Sequence, residues 1–187
     1  MIFLRMFQGY NDQVAMAFAR SLNGEHAQVS DLNISITEES MSRAIRLPAV
    51  GERFLKGGQL DIPNCTVFLK PTYRSISWAK GVLRNYIEDQ WHPLLTMLQC
   101  FVTYEGRFFV LFLYHIRLMV HFVEDRPLNI PYFLRLSLHK MVKGVQFHGK
   151  KPKTALYHHS LIKILLISEL KKWKCSWEDF LIQEFTG

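Results

Sequence analysis

The chain has 187 residues, of which 49% are hydrophobic and 21% are charged, and its formal net charge is +7. This composition excludes a disordered chain, and the length suffices for one domain with a single buried core. The three cysteines, Cys65, Cys100 and Cys175, include no close pair and are odd in number. That pattern argues against a zinc site and a disulfide framework, and it predicts an intracellular protein of the nucleus or the cytoplasm.

The first predicted elements are a helix and a hairpin. Residues 11–22, NDQVAMAFARSL, open with capping residues and place Val14 and Phe18 on one helical face, and Gly24 follows as a natural stop. Residues 24–36 then alternate apolar and polar side chains on both sides of a short turn. This alternation predicts a small N-terminal β-hairpin with one buried face.

The phrase SITEESMSRAIRLPAVGERF, residues 35–54, predicts a strand end, a capped helix and an enforced stop. Thr37 is the expected N-cap, and two glutamates follow it, where they interact favourably with the positive end of the helix dipole. Pro48 cannot continue the helix, and Gly51 permits the next turn. Only GERFLK then precedes a pair of glycines, which is too short for the recognition helix of a helix-turn-helix.

The rest of the chain divides into an irregular connection at 57–81, with one strand expected near Thr66, and a helical body at 82–185. The sequence predicts helices in that body at 93–104, 107–124, 129–147, 157–173 and 178–185. The expected fold class is therefore mainly α, with one helical-bundle-like domain over 1–187 and a small N-terminal β-hairpin.

The predicted helix 107–124 is apolar on every side, which favours a central position in the core. Its stretch FFVLFLYHIRLMVHFV, residues 108–123, is the only membrane candidate in the chain. His115, Arg117 and His121 interrupt that stretch, and a charged arginine at the centre of a membrane helix costs about 2.5 to 3.5 kcal/mol. We therefore expect a buried core helix and no membrane partner.

The sequence lacks the motifs of the common enzyme classes. HExxH, CxxC, GxSxG and the glycine-rich phosphate loops are absent. His115 and His121 are six residues apart, about 240° around a helix, so they do not converge on one ligand. Most acidic residues fall in helix starts and loops, not in a cluster of the kind that a two-metal nuclease needs. The sequence therefore predicts no enzyme, with no catalytic residue, metal, cofactor or small-molecule substrate.

Basic side chains are concentrated in residues 126–174, which contain eleven lysines and arginines and one acid, Glu169, for a net charge of +10. The remaining residues carry twelve basic and fifteen acidic side chains. Arg135, His139 and Lys143 follow at four-residue spacing, and the segment GKKPK comes next, so we expect a positive strip of the kind that binds phosphate backbones. The candidate nucleic-acid-binding residues are Arg135, His139, Lys140, Lys143, Lys150, Lys151, Lys153 and Lys163. The alternative is a solvated face that keeps an aromatic-rich protein in solution.

Several phrases resemble an uncharacterised family of plant retroelement-associated proteins, of the kind described as plant transposon proteins. They are SLNGEHAQV, ITEESMSRAIRLPAVGERF, QCFVTYEGRFFVLFLYHIRLM, NIPYFLRLSLHKM and HHSLIKILLISELKK, and the likeness extends over residues 15–185. The second phrase also resembles the start of the plant mobile domain, although Arg46 stands where those relatives usually carry glycine. The resemblance implies a plant source and a mobile-element origin, and it implies no reaction.

Three hypotheses about function follow. The first is a non-catalytic domain derived from a plant transposon or retroelement, which acts as a structural or interaction module for other element-encoded proteins. The second is a nucleic-acid-associated domain that binds the phosphate backbone through residues 126–174. The third is a degenerate transposase or nuclease.

Overall fold

A computed structural model of the chain describes residues 11–54, 65–75, 81–103, 109–147 and 159–185. Helices dominate these residues, and the sheets among them are two small two-stranded pairs. The predicted mainly α class with an N-terminal β-hairpin is therefore confirmed. Backbone contacts divide the chain into two compact units, which we call unit 1 (1–49 with 134–187) and unit 2 (50–133). One domain over 1–187 stays a prediction.

Unit 1 begins with helix α1, Asp12–Ser21, whose first backbone N–H groups donate to the side chain of Asn11. Strands β1, His26–Val29, and β2, Leu32–Ser35, follow as an antiparallel hairpin in which Val29 lies opposite Leu32. Alternate side chains of both strands are buried. The predicted helix and hairpin are both confirmed, because capping and alternation are local signals.

Helix α2, Glu38–Ile45, starts with a reciprocal capping box between Thr37 and Ser40. The Thr37 hydroxyl accepts the Ser40 backbone N–H at 3.1 Å, and the Ser40 hydroxyl accepts the Thr37 backbone N–H at 2.9 Å. At the other end, Arg46 has φ 58° and ψ 37°, the left-handed conformation that glycine usually takes at this position. The predicted stop is therefore present, and an arginine adopts the conformation of the expected glycine.

Unit 2 contains strand β3, Val82–Leu83, and helix α3, His92–Met97, which has Pro93 in its first turn as predicted. The sequence predicted helix from Val82 onward, but the residues between β3 and α3 form two 3-10 turns. A 3-10 turn, Thr66–Phe68, also replaces the strand that was expected in the irregular connection. Helix α3 continues as a π-helical turn to Thr103.

Strand β4, Val110–Leu111, and helix α4, Leu113–Val123, occupy most of the predicted helix 107–124, whose first two residues lie outside the described part of the chain. The prediction of one continuous, fully buried helix is wrong. β4 pairs with β3, a distant strand that satisfies its backbone groups without a helix. Phe109 and Phe122 are 79% and 41% exposed. In the part of the chain that the structure describes, no helix is long and apolar enough to span a bilayer.

The core of unit 2 forms where α3, α4 and the β3–β4 pair bring bulky side chains together. Phe68 meets Trp91 edge to face at 5.0 Å between ring centroids, and Phe54 meets Phe133 at 4.9 Å. Such aromatic pairs stabilise a core beyond the area that they bury. Fully buried side chains of this core include Phe68, Leu69, Ile87, Leu95, Leu98, Leu111, Ile116 and Leu118.

Helices α5, Ile130–Phe147, α6, His159–Leu170, and α7, Trp177–Phe185, complete the described chain, and residues 134–147 of α5 belong to unit 1. The Asn129 side chain accepts the Tyr132 backbone N–H at 3.0 Å and so caps the start of α5. Helix α6 contacts α1, α2 and β2, which makes it the central helix of unit 1. Its buried side chains are Leu161, Ile162, Ile164, Leu165, Leu166 and Leu170.

Candidate nucleic-acid interface

The four-residue spacing brings Arg135, His139 and Lys143 together on one face of α5. Burial lowers the pKa of His139, and the positive charges of Arg135 and Lys143 lower it further, whereas Glu25 raises it. These two charges act on His139 because they lie close to it. Arg135 is only 23% exposed, and its Nη1 donates to Glu25 Oε1 at 2.7 Å. Its charge is therefore compensated, and Lys143 remains the exposed cation of this face.

The other predicted residues are placed differently. Lys140 is exposed on α5. Lys163 is half-buried on α6, and its Nζ lies 5.4 Å from the centroid of the Trp177 ring, so that a cation–π contact joins α6 to α7. Three candidates, Lys150, Lys151 and Lys153, lie outside the described residues. The structure thus brings together the α5 residues and gives Lys163 a packing role.

A turn at the end of α6 carries a group of exposed residues that the sequence-based site omitted. Lys171, Lys172, Trp173 and Lys174 are all exposed, and we call them the lysine turn. The lysines were counted in the basic stretch, but Trp173 was not singled out, since an aromatic side chain is expected inside a protein. The run KKWK directly after an apolar helix is the signal that could have identified the group.

Backbone hydrogen bonds fix the shape of the lysine turn. The Cys175 N–H donates to Leu170 O at 3.2 Å, and the Lys174 N–H donates to Lys171 O at 3.3 Å. Lys174 itself is left-handed, with φ 54° and ψ 27°. These are the two bonds and the left-handed residue of a Schellman motif, with lysine in the position that glycine usually occupies. These bonds close the C-terminal end of α6.

Carboxylates neutralise some of the basic side chains in this region and leave others uncompensated. Arg135 pairs with Glu25, and Lys172 pairs with Glu169, the one acid of residues 126–174. Among the residues that the structure describes, the exposed ammonium groups of Lys143, Lys171 and Lys174 have no carboxylate partner. These three charges are available to a phosphate group.

A second charged cluster lies in unit 2, where the GERF phrase contacts α4. The Glu52 N–H donates to Pro127 O at 2.9 Å, which aligns this segment with the chain before α5. Glu52 Oε2 lies 3.4 Å from His121 Nε2 and 3.9 Å from Arg117 Nη2. The Arg117 guanidinium also lies over the Phe54 ring, 4.3 Å from its centroid. This phrase therefore attaches the chain to α4 by charge and ring contacts.

His121 is 2% exposed, and no hydrogen bond reaches its buried Nδ1. Burial lowers the pKa of His121, Glu52 raises it, Arg126 and Arg117 lower it, and Glu124 raises it, with a net lowering. The folded chain therefore favours the neutral imidazole more strongly than the unfolded chain does, because the buried site disfavours a positive charge.

We expect the free energy of unfolding to fall as the pH decreases below about 6.5, the ordinary pKa of histidine. The unfolded chain binds the proton in this range and the folded chain does not, so stability is lost towards acid by at most about 1.4 kcal/mol per pH unit for one proton. His139 contributes with the same sign. Denaturant unfolding of wild type, His121→Gln and His139→Gln between about pH 7.5 and pH 5 measures the two contributions. An unchanged pH slope in His121→Gln would contradict the assignment.

Within the described ranges, no three His, Cys, Asp or Glu side chains lie close enough to hold a metal ion. Two serine hydroxyls of α2 contact the backbone: Ser40 Oγ donates to Ser35 O, and Ser42 Oγ donates to Leu47 O, each at 2.6 Å. These bonds give both hydroxyls a structural role at the ends of α2. The absence of catalysis stays a prediction.

A scan against protein-family models, a search of curated proteins and a search of solved structures each found no match to this chain. The resemblance to plant retroelement-associated proteins therefore stays an expectation.

Proposed function

We propose that this chain is a non-catalytic interaction module that binds the phosphate backbone of nucleic acids through unit 1. One observation supports this proposal above the others: Lys143, Lys171 and Lys174 are exposed cations without a carboxylate partner among the described residues. Lysines of this kind bind phosphates and release the counterions condensed on the nucleic acid, which gives affinity without sequence preference.

The alternative role of these lysines is solubility. A surface that serves only solubility usually mixes both signs of charge. Here eleven basic residues share the segment 126–174 with one acid, and the rest of the chain carries an excess of acids. Segregation of this kind produces a local positive potential, which attracts polyanions. The charge distribution therefore favours a binding surface.

The positions of the cations also favour binding. Lys143 lies on the long helix α5, and the lysine turn is held by a Schellman motif at the end of α6. Charges on such elements need little ordering when a ligand binds, so less of the interaction free energy is lost.

The proposed module is part of a plant mobile element, as the resemblance implies. Its partners are then the nucleic acid of the element and other element-encoded proteins. A reverse transcriptase or integrase reading frame beside the gene would support this origin.

We expect the triple variant Lys143→Gln, Lys171→Gln, Lys174→Gly to bind generic duplex DNA more weakly than wild type does. The slope of log K against log salt should flatten by about 0.9 for each phosphate of B-form DNA that the variant no longer neutralises. Glycine at position 174 suits the left-handed backbone, so weaker binding will not result from unfolding. Fluorescence anisotropy at several salt concentrations measures the slope.

The matched control is Arg20→Gln, Arg43→Gln, Arg46→Gly. It also removes three exposed positive charges from unit 1 and also places glycine at a left-handed position, but its residues lie outside 126–174. We expect this control to keep the wild-type slope. If wild type does not bind at low salt, or if the two triple variants have equal slopes, the proposal is wrong.

A further inference from the structure

Trp173 is the most exposed large apolar side chain among the described residues of unit 1, with 73% of its surface accessible to solvent. The other two tryptophans that the structure describes are half-buried: Trp91 packs against Phe68, and Trp177 packs against Phe180 with ring centroids 6.0 Å apart. An exposed indole leaves a large apolar face in water, and no aromatic ring of the described ranges packs against Trp173. Packing against the described residues therefore does not account for its position.

The surroundings of Trp173 combine a flat aromatic face with positive charge. Lys172 precedes it and Lys174 follows it, and Lys171 lies one residue further back on the same short turn. The backbone bonds of the Schellman motif fix the main chain that carries Trp173 and these lysines. Surfaces that bind single-stranded nucleic acids have this combination, with an aromatic ring for a base and cations for the adjacent phosphates.

We propose that Trp173 is a stacking platform for an unpaired nucleobase, so that the lysine turn binds single-stranded nucleic acid in preference to a duplex. The proposal rests on the proposed function, because the lysines must first hold the backbone. In a duplex both faces of each internal base are already stacked, and an indole on the protein surface gains nothing from them. In a single strand the base can leave its neighbours and cover the indole, which removes both apolar faces from water.

A lipid surface is the main alternative partner for a tryptophan among lysines. Helices that lie in a membrane interface bury a broad apolar face that contains several large side chains. Among the described residues of unit 1, the other exposed large apolar side chain is Leu47, which is 37% exposed. One indole without such a face provides little area to insert, so the observations favour a base over a bilayer.

The experiment compares a single-stranded oligothymidylate of roughly twelve nucleotides with a duplex of equal length, on the full chain. We expect Trp173→Ala to weaken binding of the single strand by about 5- to 150-fold, the range for loss of one stacked base. The salt slope should stay the same, because the indole carries no charge, and duplex affinity should change by less than about twofold. Trp173→Phe should restore most of the affinity for the single strand, since the phenyl ring also stacks.

The Lys171→Gln, Lys174→Gly double variant is the matched comparison, and it should weaken both probes and flatten both slopes. If wild type binds both probes with a steep salt slope and Trp173→Ala binds the single strand equally well, the stacking proposal is wrong and backbone binding stands. If wild type binds neither probe at low salt, both proposals fail.

Vesicles that contain phosphatidylserine form the third arm of the experiment. Trp173-dependent binding to these vesicles, without Trp173-dependent binding of the oligonucleotide, would overturn the nucleobase assignment. An unchanged thermal midpoint in Trp173→Ala shows that the fold is intact.

Discussion

Replacing Gly51 with alanine is expected to destabilise unit 2 by roughly 3 to 5 kcal/mol. Gly51 has φ +108°, a backbone conformation that side chains with a Cβ rarely adopt. A Cβ at this position would lie 2.7 Å from the carbonyl carbon and oxygen of Pro127 and 2.8 Å from the carbonyl carbon of Leu128. All three atoms belong to the backbone, so no side-chain rotation relieves the clash.

The clash also affects the backbone hydrogen bonds of Glu52, the next residue. The Glu52 N–H donates to Pro127 O at 2.9 Å, and the Asn129 N–H donates to Glu52 O at 3.1 Å. Any shift that makes room for a methyl group at Gly51 breaks these two bonds or moves Glu52 away from His121. The loss of stability therefore includes hydrogen bonds as well as steric strain.

The matched control for this substitution is Gly24→Ala in unit 1. Gly24 also has a positive φ, +60°, but no atom lies within 4 Å of a Cβ built there. Only the cost of a left-handed alanine remains, about 1 kcal/mol. Denaturant unfolding followed by circular dichroism measures both variants. Equal losses of stability would mean that the approach of Gly51 to the backbone of Pro127 does not constrain the fold.

The second large effect is expected for His115→Leu, at about 2 to 4 kcal/mol. His115 is fully buried on α4, its Nδ1 accepts the Phe112 backbone N–H at 3.1 Å, and its Nε2 lies 3.1 Å from Thr103 Oγ1. Since Nδ1 accepts a hydrogen bond from the Phe112 amide, Nε2 carries the ring proton of the neutral imidazole and donates to the threonine. Leucine fills a similar volume but removes both the acceptor of the Phe112 amide and the ring N–H beside the Thr103 hydroxyl.

Two further variants separate the contribution of the bond to Thr103 from the general effect of replacing a histidine. Thr103→Val removes one of the two bonds and should cost about 1 to 2 kcal/mol. His26→Leu replaces an exposed histidine of β1 and should change stability by less than about 0.5 kcal/mol. The unfolding free energies of the three variants are compared at one pH, about 7.5. A loss in His115→Leu as small as that in His26→Leu would show that the buried bonds do not stabilise unit 2.

Local signals explain the parts of the fold that the sequence predicted correctly. Thr37 caps α2, Pro93 opens α3, and Asn129 caps α5, and each of these roles depends on the next three or four residues alone. The start of the predicted helix 107–124 was wrong, although Leu113–Val123 is helical, because Val110 pairs with Leu83, a distant partner that hydrophobic periodicity does not detect.

In the candidate interface, too, local features could be predicted and contacts between distant residues could not. The period of 3.6 residues places Arg135, His139 and Lys143 on one face of α5, and this could be predicted. The ion pair between Arg135 and Glu25 could not, because 110 positions separate the two residues in sequence. The exposure of Trp173 was also not predicted, since an aromatic side chain is expected inside a protein, although the run KKWK after an apolar helix signals it.

Unit 1 consists of two chain segments with all of unit 2 between them. During synthesis, α1, the hairpin and α2 leave the ribosome long before α6, the helix against which all of them pack. Phe18 and Ile34 are fully buried only in the finished unit, so in the nascent chain they remain uncovered while residues 50–133 are made. Contacts between residues that lie this far apart in the sequence slow folding and expose the partly folded chain to aggregation. The insertion of unit 2 into the sequence of unit 1 therefore leaves these apolar side chains uncovered until α6 is translated.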